Sequence, residues 1–214
     1  MPGAPRFRVL AFDAYGTLFD VFSVTALAQV WRAKQLQYSL LRTVMGRHRD
    51  FWGLTTDSLT FALEVLGIVL ARDDRQQLLD AYLTLSPFPD VRPALEALRE
   101  RGLRLAILSN GAPGMLAAAT EVAGIASLID QTLSVEAVGV FKPSPRAYGL
   151  LADAFDVETD DIGFVSSNSW DIAGARSAGL TTFWLRRAAT DPPEVLGFPA
   201  DHTIHSLAAL PDVC

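Results

Sequence analysis

The stretch RVLAFDAYGTLFD, residues 8–20, joins a short apolar run to an acid, a glycine and a threonine. The apolar run has the length and composition of a strand that is buried on both faces, as in a parallel sheet. Asp13 stands where this strand is predicted to end. Because open α/β sheets bind ligands outside the carboxyl ends of their strands, Asp13 is the first candidate for a functional residue.

Five further segments show a strand-like apolar pattern between Gly, Asp or Asn residues. The stronger ones are residues 103–109, 161–167 and 181–187, and the weaker ones are 129–135 and 202–207. Helical patterns separate them, at residues 91–102, 143–155 and 169–179. The alternation of strands and helices predicts an α/β fold with a doubly wound parallel sheet and right-handed crossovers.

Residues 20–88 break this alternation because they contain no convincing strand. Helical patterns occupy residues 26–46, 57–67 and 72–85. We therefore predict a Rossmann-like core domain formed by residues 1–19 and 89–214, with residues 20–88 inserted as a helical cap subdomain. The cap begins directly after the acid-bearing turn, so we expect it to cover the end of the first strand. The alternative is a helical excursion with no role in chemistry.

Composition and charge narrow the class of protein. The net charge of −6 and the pI of about 5.0 argue against broad nucleic-acid binding and against a polybasic membrane surface. One cysteine, Cys214, allows no disulfide within the chain. No apolar run reaches the roughly 18 residues that span a bilayer, and the N-terminal stretch has no signal-peptide core. We expect a cytoplasmic protein that binds neither nucleic acid nor membrane.

Polar residues follow four successive predicted strands. They are Asp13 and Thr17, then Ser109 and Asn110, then Lys142 at the predicted start of a helix, and finally Ser166, Asn168 and Asp171. Each set alone has an ordinary explanation, since an acid after a strand usually caps a helix or a turn and a lone lysine is usually a solvated charge. Four sets at four strand ends instead predict that these side chains face one crevice.

These segments resemble the signature motifs of the haloacid dehalogenase superfamily, in the expected order. The motifs are FDAYGTLFD (12–20), ILSNG (107–111), VFKPSPRAY (140–148) and FVSSNSWDIAGARSAG (164–179). The cap stretch VWRAKQLQYSLLR (30–42) is similar to that of the 2-haloacid dehalogenase subfamily. Core motifs indicate the superfamily, whereas this stretch indicates the subfamily.

The chain departs from the phosphatases of this superfamily in two places. Tyr15 stands where the phosphatases have a second acid that protonates the leaving group, and Ser166, Ser167 and Asn168 stand where paired carboxylates hold Mg²⁺. Serine and asparagine are poor replacements, since Mg²⁺ prefers carboxylate oxygens. A halide leaves as a stable anion and needs no proton. The resemblance therefore implies a dehalogenase without a metal or another cofactor.

The resemblance also implies a mechanism. Asp13 attacks the carbon that bears the halogen, and water then hydrolyses the aspartyl ester, so that a short L-2-haloacid becomes a D-2-hydroxy acid and a halide. Lys142 keeps Asp13 ionised against the desolvation that raises the pKa of a buried acid. Arg32 on the cap stabilises the departing halide, and the alternative for Arg32 is an exposed side chain beside a core tryptophan.

The resemblance also implies roles for the remaining site residues. Asn110 holds the halide, while Ser109 and Thr17 bind the substrate carboxylate or orient Asp13. Ser166, Asn168 and Asp171 orient Lys142, Asp13 or the hydrolytic water. Tyr15, Phe51 and Trp170 form an apolar cup, for which ordinary core packing is the alternative. Tyr148 either contacts the substrate or holds Lys142 in place.

Other functions stay open at this point. A related hydrolase could use Asp13 to open a strained ring such as azetidine-2-carboxylate. A phosphatase is disfavoured by Tyr15 and Asn168, and a non-catalytic binding protein is disfavoured by the presence of Asp13, Lys142 and Arg32 together. The resemblance allows a homodimer, which relatives often form. The short segment between Asp20 and Trp31, and Ala33 where many relatives have glutamine, leave the entrance to the site unpredicted.

Overall fold

The computed structural model describes residues 6–20, 26–188 and 192–214. One six-stranded sheet forms the centre, in the order β3-β2-β1-β4-β5-β6. Its strands are β1 (Val9–Phe12), β2 (Arg104–Ser109), β3 (Gln131–Ser134), β4 (Ile162–Ser166), β5 (Thr181–Leu185) and β6 (His202–Ile204). All neighbouring strands are parallel. The predicted doubly wound α/β sheet is therefore confirmed, including the two weaker strands.

Strand order explains why β1 matters most. The chain builds β2 and β3 on one side of β1 and then crosses to place β4 on the other side, so the direction of winding reverses between β1 and β4. All four residues of β1 are buried, as a central strand of a parallel sheet requires. The reversal opens a crevice at the carboxyl end of β1. Asp13 is the first residue after that end.

Three helices follow β1 before the chain returns to the sheet. They are α1 (Ala26–Val44), α2 (Phe51–Val65) and α3 (Arg72–Asp80), and α1 packs against α2. The helix predicted for residues 57–67 in fact begins at Phe51. Asp50 explains the earlier start, because its side chain accepts a hydrogen bond from the Gly53 N–H and caps the helix.

The chain leaves and re-enters the core at adjacent points. The Asp20 N–H donates to the Ser86 carbonyl, and the Phe88 N–H donates to the Leu18 carbonyl, both at 3.1 Å. These pairs lie at the predicted junctions, residues 20 and 88. Residues 21–25, which form part of the short segment noted in the sequence, lie outside the described residues.

Five helices cover the sheet, namely α4 (Val91–Glu100), α5 (Pro113–Val122), α6 (Pro145–Phe155), α7 (Ser169–Ser177) and α8 (Leu210–Val213). The sequence analysis did not predict α5. Lys142 was predicted to open a helix, and this is wrong because α6 begins three residues later. A residue that directly precedes a proline rarely adopts helical backbone angles, because the proline ring clashes with it. Both Lys142 and Ser144 precede prolines, so neither is part of the helix. Within the described ranges, no helix is both long and apolar enough to cross a bilayer.

Candidate active site

Asp13 is held at the carboxyl end of β1 by its own backbone and by a tight turn. Its N–H donates to the Val165 carbonyl of β4 at 2.9 Å, which extends the sheet by one hydrogen bond. The chain then reverses at Gly16, whose φ of 89° is accessible mainly to glycine. The side chain of Asp13 is nearly buried, with 7% of the residue exposed. The sequence thus places a desolvated carboxylate at the switch point of the sheet.

The two oxygens of the Asp13 carboxylate have different surroundings. Oδ2 lies 2.8 Å from Asn168 Nδ2, 3.2 Å from Thr17 Oγ1 and 3.5 Å from Ser166 Oγ. Oδ1 lies 3.3 Å from Lys142 Nζ. Three neutral groups therefore hold one oxygen, while a single cation lies next to the other.

Lys142 is a buried cation between two carboxylates. Only 1% of the residue is exposed, and its Nζ lies 3.3 Å from Asp13 and 3.1 Å from Asp171. Its backbone N–H donates to Asn110 Oδ1 at 2.9 Å, which ties the loop before α6 to the end of β2. A buried charge requires such pairing, because an unpaired one would be very costly.

Asp171 lies behind Lys142, at the start of α7, and is fully buried. Tyr148 donates to Asp171 Oδ1 at 2.7 Å. Burial raises the pKa of Asp171, the charge of Lys142 lowers it in part, and the charge of Asp13 raises it again. Burial, and then Asp171, also raise the pKa of Tyr148 well above its usual range, so its hydroxyl remains a donor. Two carboxylates thus compete for one lysine.

A cavity of about 330 Å³, including its opening to solvent, lies between helices α1 and α2 and the ends of β1 and β2. Its walls are Asp13, Tyr15, Arg32, Gln35, Leu36, Ser39, Phe51, Ser109, Asn110 and Trp170. The arrangement offers a carboxylate, a guanidinium and an amide around an otherwise apolar space.

Aromatic side chains form one wall of the cavity. The rings of Tyr15 and Phe51 stack with centroids 6.5 Å apart, and Tyr82 meets Tyr15 edge-on at 5.9 Å. The Tyr15 hydroxyl is buried and has no hydrogen-bond partner among the described residues. Burial is the largest cause that raises the pKa of Tyr15, so the hydroxyl stays neutral. The three residues predicted as an apolar cup, Tyr15, Phe51 and Trp170, are thus brought together.

Helix α1 supplies one wall of the cavity. Arg32, Gln35, Leu36 and Ser39 lie on one face of the helix, at spacings of three, four and seven residues. Sequence reasoning predicted Arg32 at the site but missed the other three, although the helical spacing from Arg32 was a usable signal. Ala33 is exposed and does not line the cavity.

The predicted site residues divide into two layers. Asp13, Tyr15, Arg32, Phe51, Ser109, Asn110 and Trp170 line the cavity, whereas Thr17, Lys142, Ser166, Asn168, Asp171 and Tyr148 surround Asp13 and Lys142 from behind. For Tyr148, the geometry favours the second of its two predicted roles, because its hydroxyl reaches Asp171. Ser167, which was not predicted, donates its N–H to Thr17 Oγ1 at 2.8 Å.

The donor set does not fit the magnesium ion of the phosphatases. The carboxylates of Asp13 and Asp171 both contact the ammonium group of Lys142. The other oxygen of Asp13 faces the amide N–H of Asn168 and the hydroxyls of Thr17 and Ser166, where a magnesium site would need further carboxylate oxygens. In the part of the chain that the structure describes, no three His, Cys, Asp or Glu side chains form a group suited to a metal ion.

Comparisons with known proteins agree with this geometry. Residues 7–179 match the family model of the haloacid dehalogenase-like hydrolases. The chain is 41% identical to (S)-2-haloacid dehalogenase 1 of Pseudomonas sp. (strain CBS-3), over 96% of each chain.

Solved structures give the same result. A crystal structure of an L-2-haloacid dehalogenase is 40% identical with a TM-score of 0.93, covering 98% of this chain and 99% of that one. The L-2-haloacid dehalogenase of Xanthobacter autotrophicus, solved with chloropropionic acid covalently bound, is 35% identical with a TM-score of 0.89, covering 97% and 98%.

Proposed function

Because the chain belongs to the haloacid dehalogenase-like hydrolases, we propose that it is an (S)-2-haloacid dehalogenase that converts short L-2-haloacids to D-2-hydroxy acids. The observation that carries this proposal is the nearly buried Asp13 carboxylate, which shares a small cavity with Arg32 and has Lys142 behind it. The covalently bound chloropropionic acid in the relative from Xanthobacter autotrophicus supports a covalent route.

The first step is the attack of Asp13 on the carbon that bears the halogen. A new C–O bond forms as the carbon–halogen bond breaks, and the halide takes both electrons of that bond. Oδ1 is the better candidate for the attacking atom, since Oδ2 already lies within hydrogen-bond distance of three neutral groups. The cavity holds the carbon in front of a partly desolvated carboxylate, which lowers the barrier by proximity and orientation.

The second step is hydrolysis of the aspartyl ester. Water attacks the side-chain carbon (Cγ) of Asp13, and its oxygen enters the carboxylate. The Cγ–Oδ1 bond breaks, so that Oδ1 leaves as the hydroxyl oxygen of the product with one proton of the water, and the other proton goes to solvent. In this step Oδ2 becomes the carbonyl oxygen, which gains negative charge. Asn168 Nδ2 at 2.8 Å and the hydroxyls of Thr17 and Ser166 are positioned to stabilise that charge.

The other polar side chains of the site bind the substrate and the halide or support Asp13. Lys142 balances the negative charge of Asp13 and contributes positive potential for an anionic substrate. Arg32 and Asn110 line the cavity as donors for the halide, and Ser109 lines it as a partner for the substrate carboxylate. Asp171 and Tyr148 hold Lys142 in place through the hydrogen bonds described above.

The direct test is chloride release from the two enantiomers of 2-chloropropionate in the presence of EDTA. We expect chloride and D-2-hydroxypropionate from the L enantiomer, with the same rate before and after chelation, because the site holds its carboxylates with Lys142 rather than with a metal. Ion chromatography measures chloride, and chiral chromatography measures the product.

Two controls make this test decisive. A phosphate ester assayed with Mg²⁺ should release no phosphate, and azetidine-2-carboxylate should remain closed. Loss of chloride release in EDTA, followed by recovery on addition of Mg²⁺, would contradict the metal-free site. Absence of chloride release from the L enantiomer would contradict the function itself.

We also propose an oligomeric state, a domain division and a location in the cell. A row of exposed apolar residues at the end of α1 and directly after it supports a homodimer, because a second copy could cover it. The row comprises Leu40, Leu41, Val44 and Met45. Light scattering should then give twice the chain mass of 23.2 kDa, and the mass of one chain would refute the homodimer.

We also propose that residues 20–88 form the cap subdomain. The protein is further proposed to be cytoplasmic, which fractionation of producing cells would test.

A further inference from the structure

The inward face of α1 is polar where a packed helix face is usually apolar. Its buried residues are Trp31, Gln35 and Ser39, and both Gln35 and Ser39 are fully buried. Burying a primary amide lowers stability unless each of its polar groups finds a partner. The partners of Gln35 therefore indicate what this side chain does.

Gln35 stands in the middle of a chain of hydrogen bonds. Arg32 Nη1 donates to Gln35 Oε1 at 2.9 Å, and Gln35 Nε2 donates to Thr55 Oγ1 at 2.7 Å. Thr55 Oγ1 in turn donates to the Phe51 carbonyl at 2.8 Å. Arginine has donors only, so Gln35 must turn its oxygen to Arg32 and its nitrogen to Thr55. The direction of each hydrogen bond is thereby fixed.

This chain connects the guanidinium group of the cavity to the second cap helix. Thr55 is fully buried on α2, and its carbonyl also accepts a hydrogen bond from Trp31 Nε1 at 2.8 Å. Phe51, where the chain ends, stacks on Tyr15 in the aromatic wall. A free arginine side chain has many rotamers, but Arg32 is tied through Gln35 to a rigid helix pair.

We propose that Gln35 is the positioning residue that aims the Arg32 guanidinium at the departing halide. This inference rests on the proposed function, because it assigns Arg32 to the halide. The halide gains its charge only as the carbon–halogen bond breaks, so a well-placed cation stabilises the transition state more than the bound substrate. A misplaced guanidinium would lose much of this effect without any change at Asp13.

The ratio of turnover on the bromo substrate to turnover on the chloro substrate distinguishes a positioning role from a merely structural one. Chloride is smaller than bromide and leaves less readily, so its departure depends more on a nearby cation. Partial unfolding would reduce the turnover of both substrates by the same factor. Misplacement of Arg32 would instead slow the chloro substrate more than the bromo substrate.

The experiment compares Gln35→Leu, which is similar in size but has no acceptor, with the wild-type protein on L-2-chloropropionate and L-2-bromopropionate. We expect kcat for the chloro substrate to fall by about tenfold to a hundredfold, and kcat for the bromo substrate to fall several times less. Thr55→Val removes the anchor of Gln35 and should shift the ratio of the two kcat values in the same direction, by a smaller factor.

Ser58→Ala is the matched control. Ser58 is also fully buried on α2, but among the described residues its Oγ donates only to carbonyls of its own helix, those of Leu54 and Thr55. Its loss should leave the bromo-to-chloro ratio unchanged, with thermal unfolding recorded for every variant. If Gln35→Leu keeps the wild-type ratio, or behaves as Ser58→Ala does, the positioning role is refuted.

A second readout separates this inference from the proposed function. The ³⁵Cl NMR linewidth of a chloride solution reports halide exchange at the protein, and Arg32→Ala provides the background. We expect wild-type protein and Ser58→Ala to broaden the line beyond that background, and Gln35→Leu to lose most of the excess. A wild-type protein that binds chloride but releases none from haloacids would overturn the proposed function alone. A wild-type linewidth equal to that of Arg32→Ala would overturn the role of both residues toward the halide.

Discussion

Replacing Lys142 by methionine is expected to reduce kcat for L-2-chloropropionate by about a thousandfold or more. Methionine retains much of the length of lysine but has no charge, so the cation 3.3 Å from Asp13 disappears while the apolar contacts remain. The negative charges of Asp13 and of an anionic substrate then approach each other without the cation that balances them. Chloride release measures the loss, and circular dichroism shows whether the variant is folded.

The same substitution should make stability depend on pH. Asp13 and Asp171 would lie close together without a cation, and burial already raises the pKa of Asp171 in the intact protein. A carboxyl whose pKa is higher in the folded state than in the unfolded state binds more protons when folded. Stability is then greatest at low pH and falls as the pH rises through the unfolded and then the folded pKa.

We therefore expect Lys142→Met to unfold at a lower temperature than the wild-type protein at pH 8, with a smaller gap at pH 5. Breaking a buried ion pair typically costs about 3–5 kcal/mol. The chain has one other lysine, Lys34 on α1, which contacts the ring of Phe61. Lys34→Met is the matched control and should leave kcat and the pH trend unchanged. A deficit in Lys142→Met that is equal at both pH values, or near-normal activity, would contradict the assigned role.

Much of this arrangement could be predicted because the chemistry is tied to strand ends. The apolar run before Asp13 defines β1, and the runs before Ser109 and Ser166 define β2 and β4. Parallel neighbouring strands end at the same edge of a sheet. The residues at these strand ends are therefore close together, independently of how the helices pack. This is why Asp13, Ser166 and Asn168 were correctly expected in one place.

The parts that could not be predicted depend on packing between helices. Gln35 and Ser39 look like surface residues in the sequence, and only the rotation of α1 against α2 buries them. Lys142 reaches Asp13 from a loop rather than from a helix, because two prolines in sequence delay the start of α6. The spacing of Lys142 from Asp13, 129 residues, contains no information about their 3.3 Å contact.

Replacing Asp13 by asparagine is expected to leave no detectable chloride release. Asparagine keeps the shape and can still accept hydrogen bonds from Asn168 and Thr17, but its amide nitrogen is not a nucleophile. Glu136→Gln is a useful control of the same kind, because Glu136 accepts a hydrogen bond from the Phe51 N–H at the start of α2 and does not contact Asp13. It should retain most of the activity. Substantial chloride release by Asp13→Asn would remove Asp13 from the reaction.

Loss of activity alone does not distinguish a nucleophile from a general base, but the path of oxygen does. Attack by Asp13 and direct attack by water both invert the carbon, so both give the D-2-hydroxy acid. In a single turnover in H₂¹⁸O with enzyme in excess, the covalent route takes the product hydroxyl from unlabelled Asp13. The new ¹⁸O then remains in the Asp13 carboxylate, since water attacks the side-chain carbon of the ester. Mass spectrometry of the peptide that carries residues 8–20 should show this gain. First-turnover product labelled in its hydroxyl, with no label on the peptide, would make Asp13 a base that activates water.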